Sequence, residues 1–217
     1  LVTDRTATSG DLVERVAAAV TGGVDLVQLR EKDLPKEELL DLAGSLLEAI
    51  DGRAKLIVNE RADVALAAGA QGVQLGEDGP PVSEARKILG RDALIGRSVH
   101  SVESAAQAEA DGADFLVVGT MFASRSHPGE APAGTGLMRQ ISDGSRLPLI
   151  GIGGITPENA PEVIGAGASG VAVITNILAA RDPKAAAAKL KEAICEACRA
   201  SEDPAGAGNS RVGHQRT

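Results

Sequence analysis

Three observations predict that this chain folds as an α/β protein, a single-domain (β/α)8 TIM barrel. Short runs of Val, Ile and Leu recur along it, segments of helical spacing separate them, and glycines stand where a helix turns back into a strand. The runs are LVTD at 1–4, VDLVQL at 24–29, AKLIVN at 54–59, GVQLG at 72–76, ALIGRSV at 93–99, DFLVVGT at 114–120, PLIGIGG at 148–154 and GVAVIT at 170–175. They are mostly continuous rather than alternating, as strands buried on both faces of a parallel sheet are. Eight such units in 217 residues suit a closed barrel better than an open doubly wound sheet, which is the runner-up.

The segments between the runs have identifiable ends. Asp11 and Ser101 are placed to accept hydrogen bonds from a first helical turn, and Pro35 suits the start of the helix that follows it. Gly22-Gly23, Gly69, Gly112 and Gly167 each precede a new apolar run, where a left-handed residue ends a helix most cheaply. The barrel is expected to occupy residues 1–200, with no linker. The tail SEDPAGAGNSRVGHQRT, 201–217, has little to bury and is expected to be disordered.

Composition removes several function classes. With 22 Lys+Arg against 30 Asp+Glu the formal charge is -8, which opposes nucleic acid and anionic membranes as partners. Two Phe and no Tyr or Trp cannot build a stacking platform for single strands. The sequence shows neither an apolar run of about 18 residues nor the pattern of a signal peptide, so a cytoplasmic protein is expected. Cys195 and Cys198 form a CxxC late in a helical segment, where two reduced thiols are the better reading than a redox pair or a zinc site. A homodimer is compatible with the sequence, which does not specify one.

In a barrel, ligands bind beyond the C-terminal ends of the strands. The runs close on Asp4-Arg5, on Arg30 and Lys32, on Asn59-Glu60, on Glu77-Asp78, on Ser98 and His100, on Thr120, on Gly153-Gly154 and on Thr175-Asn176. Loop edges are polar in any fold, so each of these alone could be a solvated rim. Arg30 and Lys32 together say more: two apart on a strand they point the same way, and like charges repel by ~1 kcal/mol even in water. An anion between them is expected. GIGGITPENA supplies a second anion cue, with Gly153-Gly154 ahead of a helix expected to begin near Thr156-Pro157. The seventh and eighth strands of a barrel commonly form its phosphate site.

These residues resemble the thiamine phosphate synthase superfamily of (β/α)8 barrels. The likeness runs from LVTDR to about Ala180, through VQLREK, IVNERADVALAAGAQGVQLGED, IGRSVHS, GADFLVVGTMF, IGIGGITPENA and GASGVAVITNIL. It implies that small phosphorylated substrates, hydroxymethylpyrimidine diphosphate and a thiazole phosphate, are joined with release of diphosphate. Gln28, Arg30 and Lys32 would hold the diphosphate, Asn59 and Ser98 would read the pyrimidine or its leaving group, and Gly154 with the backbone of Ile174 and Thr175 would cradle the thiazole phosphate. Arg30, Lys32, Ser98 and His127 are the candidate catalytic groups.

Three departures from the family pattern bear on magnesium, the implied cofactor, and on one loop. Glu60 stands where synthases have a metal-binding Asp. The second metal Asp aligns with Gly79, leaving Glu77 or, as the chosen candidate, Asp78 to substitute. The Thr-x-Thr-Lys loop becomes Ser124-Arg125-Ser126-His127, in which Ser124 and Ser126 keep the hydroxyls. Thiazole tautomerases of the same superfamily, which use proton transfer instead of diphosphate and metal, are the alternative, although the histidine they carry after the glycine of the sixth strand is Thr120 here. His100 or His127 would have to act. A third reading, a non-catalytic binder of thiazole phosphate, leaves the QLREK cations without a purpose.

Overall fold

The apolar runs become strands that bury one side under helices and turn the other toward a central axis. The computed structural model describes residues 1–123 and 132–202. In order these are α1 (Leu12–Thr21), β1 (Leu26–Leu29), α2 (Lys36–Ile50), β2 (Lys55–Asn59), α3 (Ala62–Ala68), β3 (Gly72–Leu75), α4 (Val82–Leu89), β4 (Leu94–Val99), α5 (Val102–Ala110) and β5 (Phe115–Val118). They continue as α6 (Gly134–Gly144), β6 (Leu149–Ile152), α7 (Ala160–Gly165), β7 (Gly170–Ala172), α8 (Thr175–Leu178) and α9 (Pro183–Glu202). All neighbouring strands pair in parallel, in the order β1-β2-β3-β4-β5-β6-β7.

The sheet curls into a barrel, but the first apolar run is not a full strand. Among the described residues seven strands form, and the expected eighth is reduced to a bridge between Val2 and Gln28. The Val2 amide donates to Val173 (3.0 Å), Thr3 donates to Gln28 (2.9 Å), and Gln28 donates to Leu1 (2.8 Å), so Leu1 to Thr3 join β7 to β1 and close the ring. Extension stops there because the Asp4 carboxylate caps a tight turn at Arg5–Ala7, accepting from the Thr6 amide at 2.9 Å.

Alternation along each strand divides the interior in two. Val27, Leu29, Leu56, Val58, Val73, Leu75, Ile95, Leu116 and Val118 are wholly buried under the helices, each such side chain worth about 1.5–3 kcal/mol. Gln28, Ile57, Gln74, Phe115, Val117 and Ile152 face inward and line a cavity of about 250 Å³. The expected helix signals operate. Asp11 accepts from Glu14 at 2.9 Å, Ser101 and Ser104 cap one another, and Gly69 ends α3 at φ 72°. Pro35 sits immediately before α2 rather than within it.

At the end of the chain α9 packs on α1 and α7 and runs through Glu202. Helix thus continues two residues into the segment expected to be disordered, and residues 203–217 lie outside those described. Cys195 and Cys198 lie on α9 as half-buried free thiols. No helix among the described residues is long and apolar enough to cross a membrane.

Candidate active site

Parallel strands deliver all their C-terminal ends to one rim of the barrel. Arg30 follows β1, Asn59 ends β2, Ser98 lies one residue short of the end of β4, Gly153 follows β6 and Thr175 opens α8 just past β7. Closure through Leu1 to Thr3 leaves only that segment between β7 and β1. Two inter-strand steps of about 4.8 Å therefore separate the end of β1 from that of β7, and three separate it from that of β6, about 10–15 Å in all.

At the first edge, the strand pleat does not set the direction of the cations. β1 stops at Leu29, and Arg30 and Lys32 lie in the loop beyond it. What holds them is the residue between: Glu31 is 6% exposed, and both its carboxylate oxygens accept from the Arg5 amide at 3.1 Å. Arg5 itself forks onto Asp33 at 2.8 and 2.5 Å, which holds the Asp33 carboxyl below its usual range and ties the loop down. The Arg30 amide donates to the buried Thr3 hydroxyl at 2.9 Å. Every acidic group of this loop is thus engaged with Arg5, while neither Arg30 nor Lys32 forms an ion pair among the described residues. Among the described residues their positive charge is left uncompensated.

At the second edge, the backbone does the work. Gly153 and Gly154 adopt φ 102° and 62°, and a Cβ on Gly154 would stand 2.5 Å from the Ala123 carbonyl. Only glycine fits there. Asn159 fastens the turn, accepting from the Thr156 amide at 2.8 Å and donating to the Gly154 carbonyl at 3.0 Å. That turn delays α7 to Ala160, three residues after the expected start at Pro157. Next door, β7 ends at Ala172 and Thr175 begins a helix instead of finishing a strand. The N–H groups of Gly154, Ile155, Thr175 and Asn176 donate to no backbone acceptor among the described residues. Four unspent donors on neighbouring strand ends suit a phosphate.

Asn59 and Ser98 frame the floor between these edges. Asn59 is register partner of Gln74 on β3, whose side chain reaches across to Ser98 at 3.1 Å. Gln28 is 8% exposed and points into the cavity below. The turn after β3 is clamped by Arg97, which donates to the carbonyls of Pro80 (2.7 Å) and Glu77 (2.5 Å). His100 is oriented by Glu77: its Nδ1 lies 2.6 Å from that carboxylate, which its amide also meets. Although burial pushes the Glu77 carboxyl up, hydrogen bonds from Ser104 and His100 prevail and hold it below its usual range.

That leaves Glu60 and Asp78 for a metal. Glu60 adopts φ 59°, a left-handed conformation uncommon for a residue with a side chain, and its carboxylate lies against Gly76 and Gly79, in the turn that contains exposed Asp78. No group of three or more acidic, His or Cys side chains gathers among the described residues. Magnesium asks for less, commonly one or two carboxylates with substrate phosphates completing its shell, so these two residues fit that chemistry. Ser124, Ser126 and His127, with Arg125, lie outside the described residues. Sequence reasoning missed Thr3, Glu31, Arg97 and Gln74. Gln74 and Arg97 left a trace, as polar residues in the middle of apolar runs.

The fold and rim define a parallel-stranded barrel protein whose candidate anion-binding groups sit at the C-terminal ends of the strands. Residues 1–177 match the family described as thiamine monophosphate synthase, and the chain belongs to that family. It is 44% identical over 188 residues to the thiamine-phosphate synthase of Moorella thermoacetica, covering 85% of this chain and 89% of that one. To the enzyme of the same name from Haloarcula marismortui it is 45% identical over 200 residues, 89% and 95% of the two chains. A solved structure, thiamine phosphate pyrophosphorylase from Pyrococcus furiosus, superposes with a TM-score of 0.83 at 35% identity over 90% of this chain and 94% of that one.

Proposed function

We propose that this protein is a transferase that joins hydroxymethylpyrimidine diphosphate to a thiazole phosphate and releases diphosphate. The supporting observation is the arrangement of the rim: Arg30 and Lys32 on one side and backbone amides on the other, both without partners among the described residues and two to three strand spacings apart. The names of the relatives point the same way. In this reading Gln28, Arg30 and Lys32 hold the diphosphate, and Gly154, Ile174 and Thr175 hold the thiazole phosphate. Asn59 and Ser98 face the pyrimidine.

The chemistry asks for little more than placement. The bond to diphosphate breaks with its electron pair leaving on the diphosphate, and the resonance-stabilised pyrimidine cation is captured by the thiazole. Arg30 and Lys32 act as charge accumulates on the leaving group, and fixed donors of this kind are worth about 10²–10³ in rate. Holding both reactants in one bowl supplies the rest. Glu60 and Asp78 would hold magnesium, which when bound neutralises part of the diphosphate charge. The isomerase reading is not supported by the names of the relatives, and Thr120 stands at its histidine position.

Purified protein given magnesium and both phosphorylated reactants is expected to yield thiamine phosphate and diphosphate. Absence of product, together with turnover of a thiazole tautomer, would transfer the assignment to the isomerase.

A further inference from the structure

Glu60 is held in a conformation that its side chain disfavours. It follows β2 at φ 59°, where a residue with a side chain is uncommon. Backbone hydrogen bonds on both sides fix it there: the Glu60 amide donates to the Gln74 carbonyl at 2.8 Å, and the Arg61 amide donates to the Asn59 carbonyl at 2.7 Å. The second bond closes a three-residue turn centred on Glu60, which at positive φ is the rare and strained form. A glycine would relieve that strain. Glu60 instead delivers an exposed carboxylate that forms no ion pair among the described residues.

What receives the carboxylate is Gly76, which follows β3 on the neighbouring strand. A Cβ on Gly76 would stand 2.8 Å from Glu60 Oε1 and 3.9 Å from Glu60 Cδ, and within 4 Å of nothing else among the described residues but its chain neighbours. Gly76 does not use a left-handed φ, so its own backbone does not call for glycine. Gly79 is different: a Cβ there would stand 3.1 Å from the Gly76 carbonyl, so the turn itself asks for a small residue. Gly76 therefore makes room for one thing, the end of Glu60. Arg97 fastens the turn from β4, donating to the carbonyls of Glu77 (2.5 Å), Gly79 (3.4 Å) and Pro80 (2.7 Å). A side chain at position 76 would thus displace the flexible end of Glu60 rather than the backbone.

We propose that Gly76 is a positioning residue for the divalent ion: by carrying no side chain it lets the Glu60 carboxylate lie across the ends of β2 and β3, where that carboxylate helps to hold magnesium. The inference rests on the condensation and the magnesium role proposed above, and adds to them the residue that sets where the charge stands. Strain at Glu60 and a glycine that its own backbone does not require are two departures from local preference. One requirement, a carboxylate at one place, accounts for both.

The test is direct binding of Mn2+, a probe for an oxygen-ligand magnesium site, to protein mixed with inorganic diphosphate, read from the EPR signal of free Mn2+ without turnover. Wild type, Gly76→Ala, Glu60→Gln and the double variant are compared, and each is melted without metal. Gly76→Ala is expected to weaken Mn2+ binding about tenfold. Its Tm should be unchanged or higher, because alanine restricts the unfolded chain and displaces only the end of a flexible side chain. Glu60→Gln should weaken binding by a similar factor, and the double variant should bind no more weakly than Glu60→Gln alone, because no charge remains to be displaced. In turnover, the magnesium concentration for half-maximal rate should rise in Gly76→Ala while KM for thiazole phosphate stays within about twofold. Wild-type Mn2+ affinity in Gly76→Ala, a fall in its Tm of more than about 5 °C, or multiplied losses in the double variant would overturn the assignment. A wild type that binds no Mn2+ beside diphosphate would overturn the magnesium role itself and the inference with it, a result distinct from wild-type binding that Gly76→Ala leaves intact.

Discussion

The two anion-facing edges of the rim are made of opposite materials. After β1 the donors are long side chains, Arg30 half-buried and Lys32 exposed, steadied among the described residues through Glu31 and Thr3. After β6 and β7 they are backbone N–H groups, held by the left-handed glycines and by Asn159. Side-chain cations carry full charge and can follow a group that departs, but salt screens them. Backbone amides carry partial charge and cannot move, which suits a phosphate that stays attached throughout. In the proposed reaction that difference would divide the labour, with the leaving group on the flexible edge and the retained phosphate on the rigid one.

The largest expected effect breaks the flexible edge. Arg30→Ala or Lys32→Ala should lower kcat/KM by about 10²–10³, mostly in kcat, because the charge they meet grows as the bond breaks. Turnover within about twofold of wild type in both would remove that edge from the reaction. A smaller effect of a different kind is expected at the rigid edge. Gly154→Ala must adopt φ 62° and displace the Ala123 carbonyl, so KM for thiazole phosphate should rise about 10–100-fold with KM for the diphosphate nearly unchanged. Equal changes in both KM values would mean that the edges do not act separately.

Glu60→Gln probes what lies between them. It keeps the shape of the side chain but removes the charge, and the magnesium concentration for half-maximal rate should rise about tenfold; an unaltered magnesium curve would assign the ion to other groups. The smallest effect belongs to a pair far from any proposed reactant. Asp63 is held well below the usual carboxylate range by hydrogen bonds from Arg61 and Lys36, linking α2 to α3. A depressed folded-state value stabilises above the unfolded pKa of about 3.9 and is lost as pH falls further. Asp63→Asn should therefore lower Tm by about 1–3 °C near pH 7, and the gap should close in thermal melts below about pH 4.

Much of this was legible before any coordinates. Continuous apolar runs announced parallel strands, Asp11 and Ser101 cap their helices as expected, and the residues closing each run do line one rim. These features depend on neighbours in the chain, which sequence displays directly. Less was visible where distant segments meet. Asp4 turned a strand into a bridge, and Asn159 shifted the start of α7. The common direction expected for Arg30 and Lys32 was argued from a strand that ends before reaching them; Glu31, read only as part of QLREK, is what holds the loop.

By itself, then, the sequence determined the alternation of strand and helix, the membership of the rim, and the positions where only glycine fits, because each follows from local burial and backbone freedom. Tertiary structure alone decided that Leu1 to Thr3 close the ring between β7 and β1, and that Gln74 reaches Ser98 across the strands. Both are pairings between residues more than twenty positions apart, and such pairings exist only once the sheet has curled and brought its edges together.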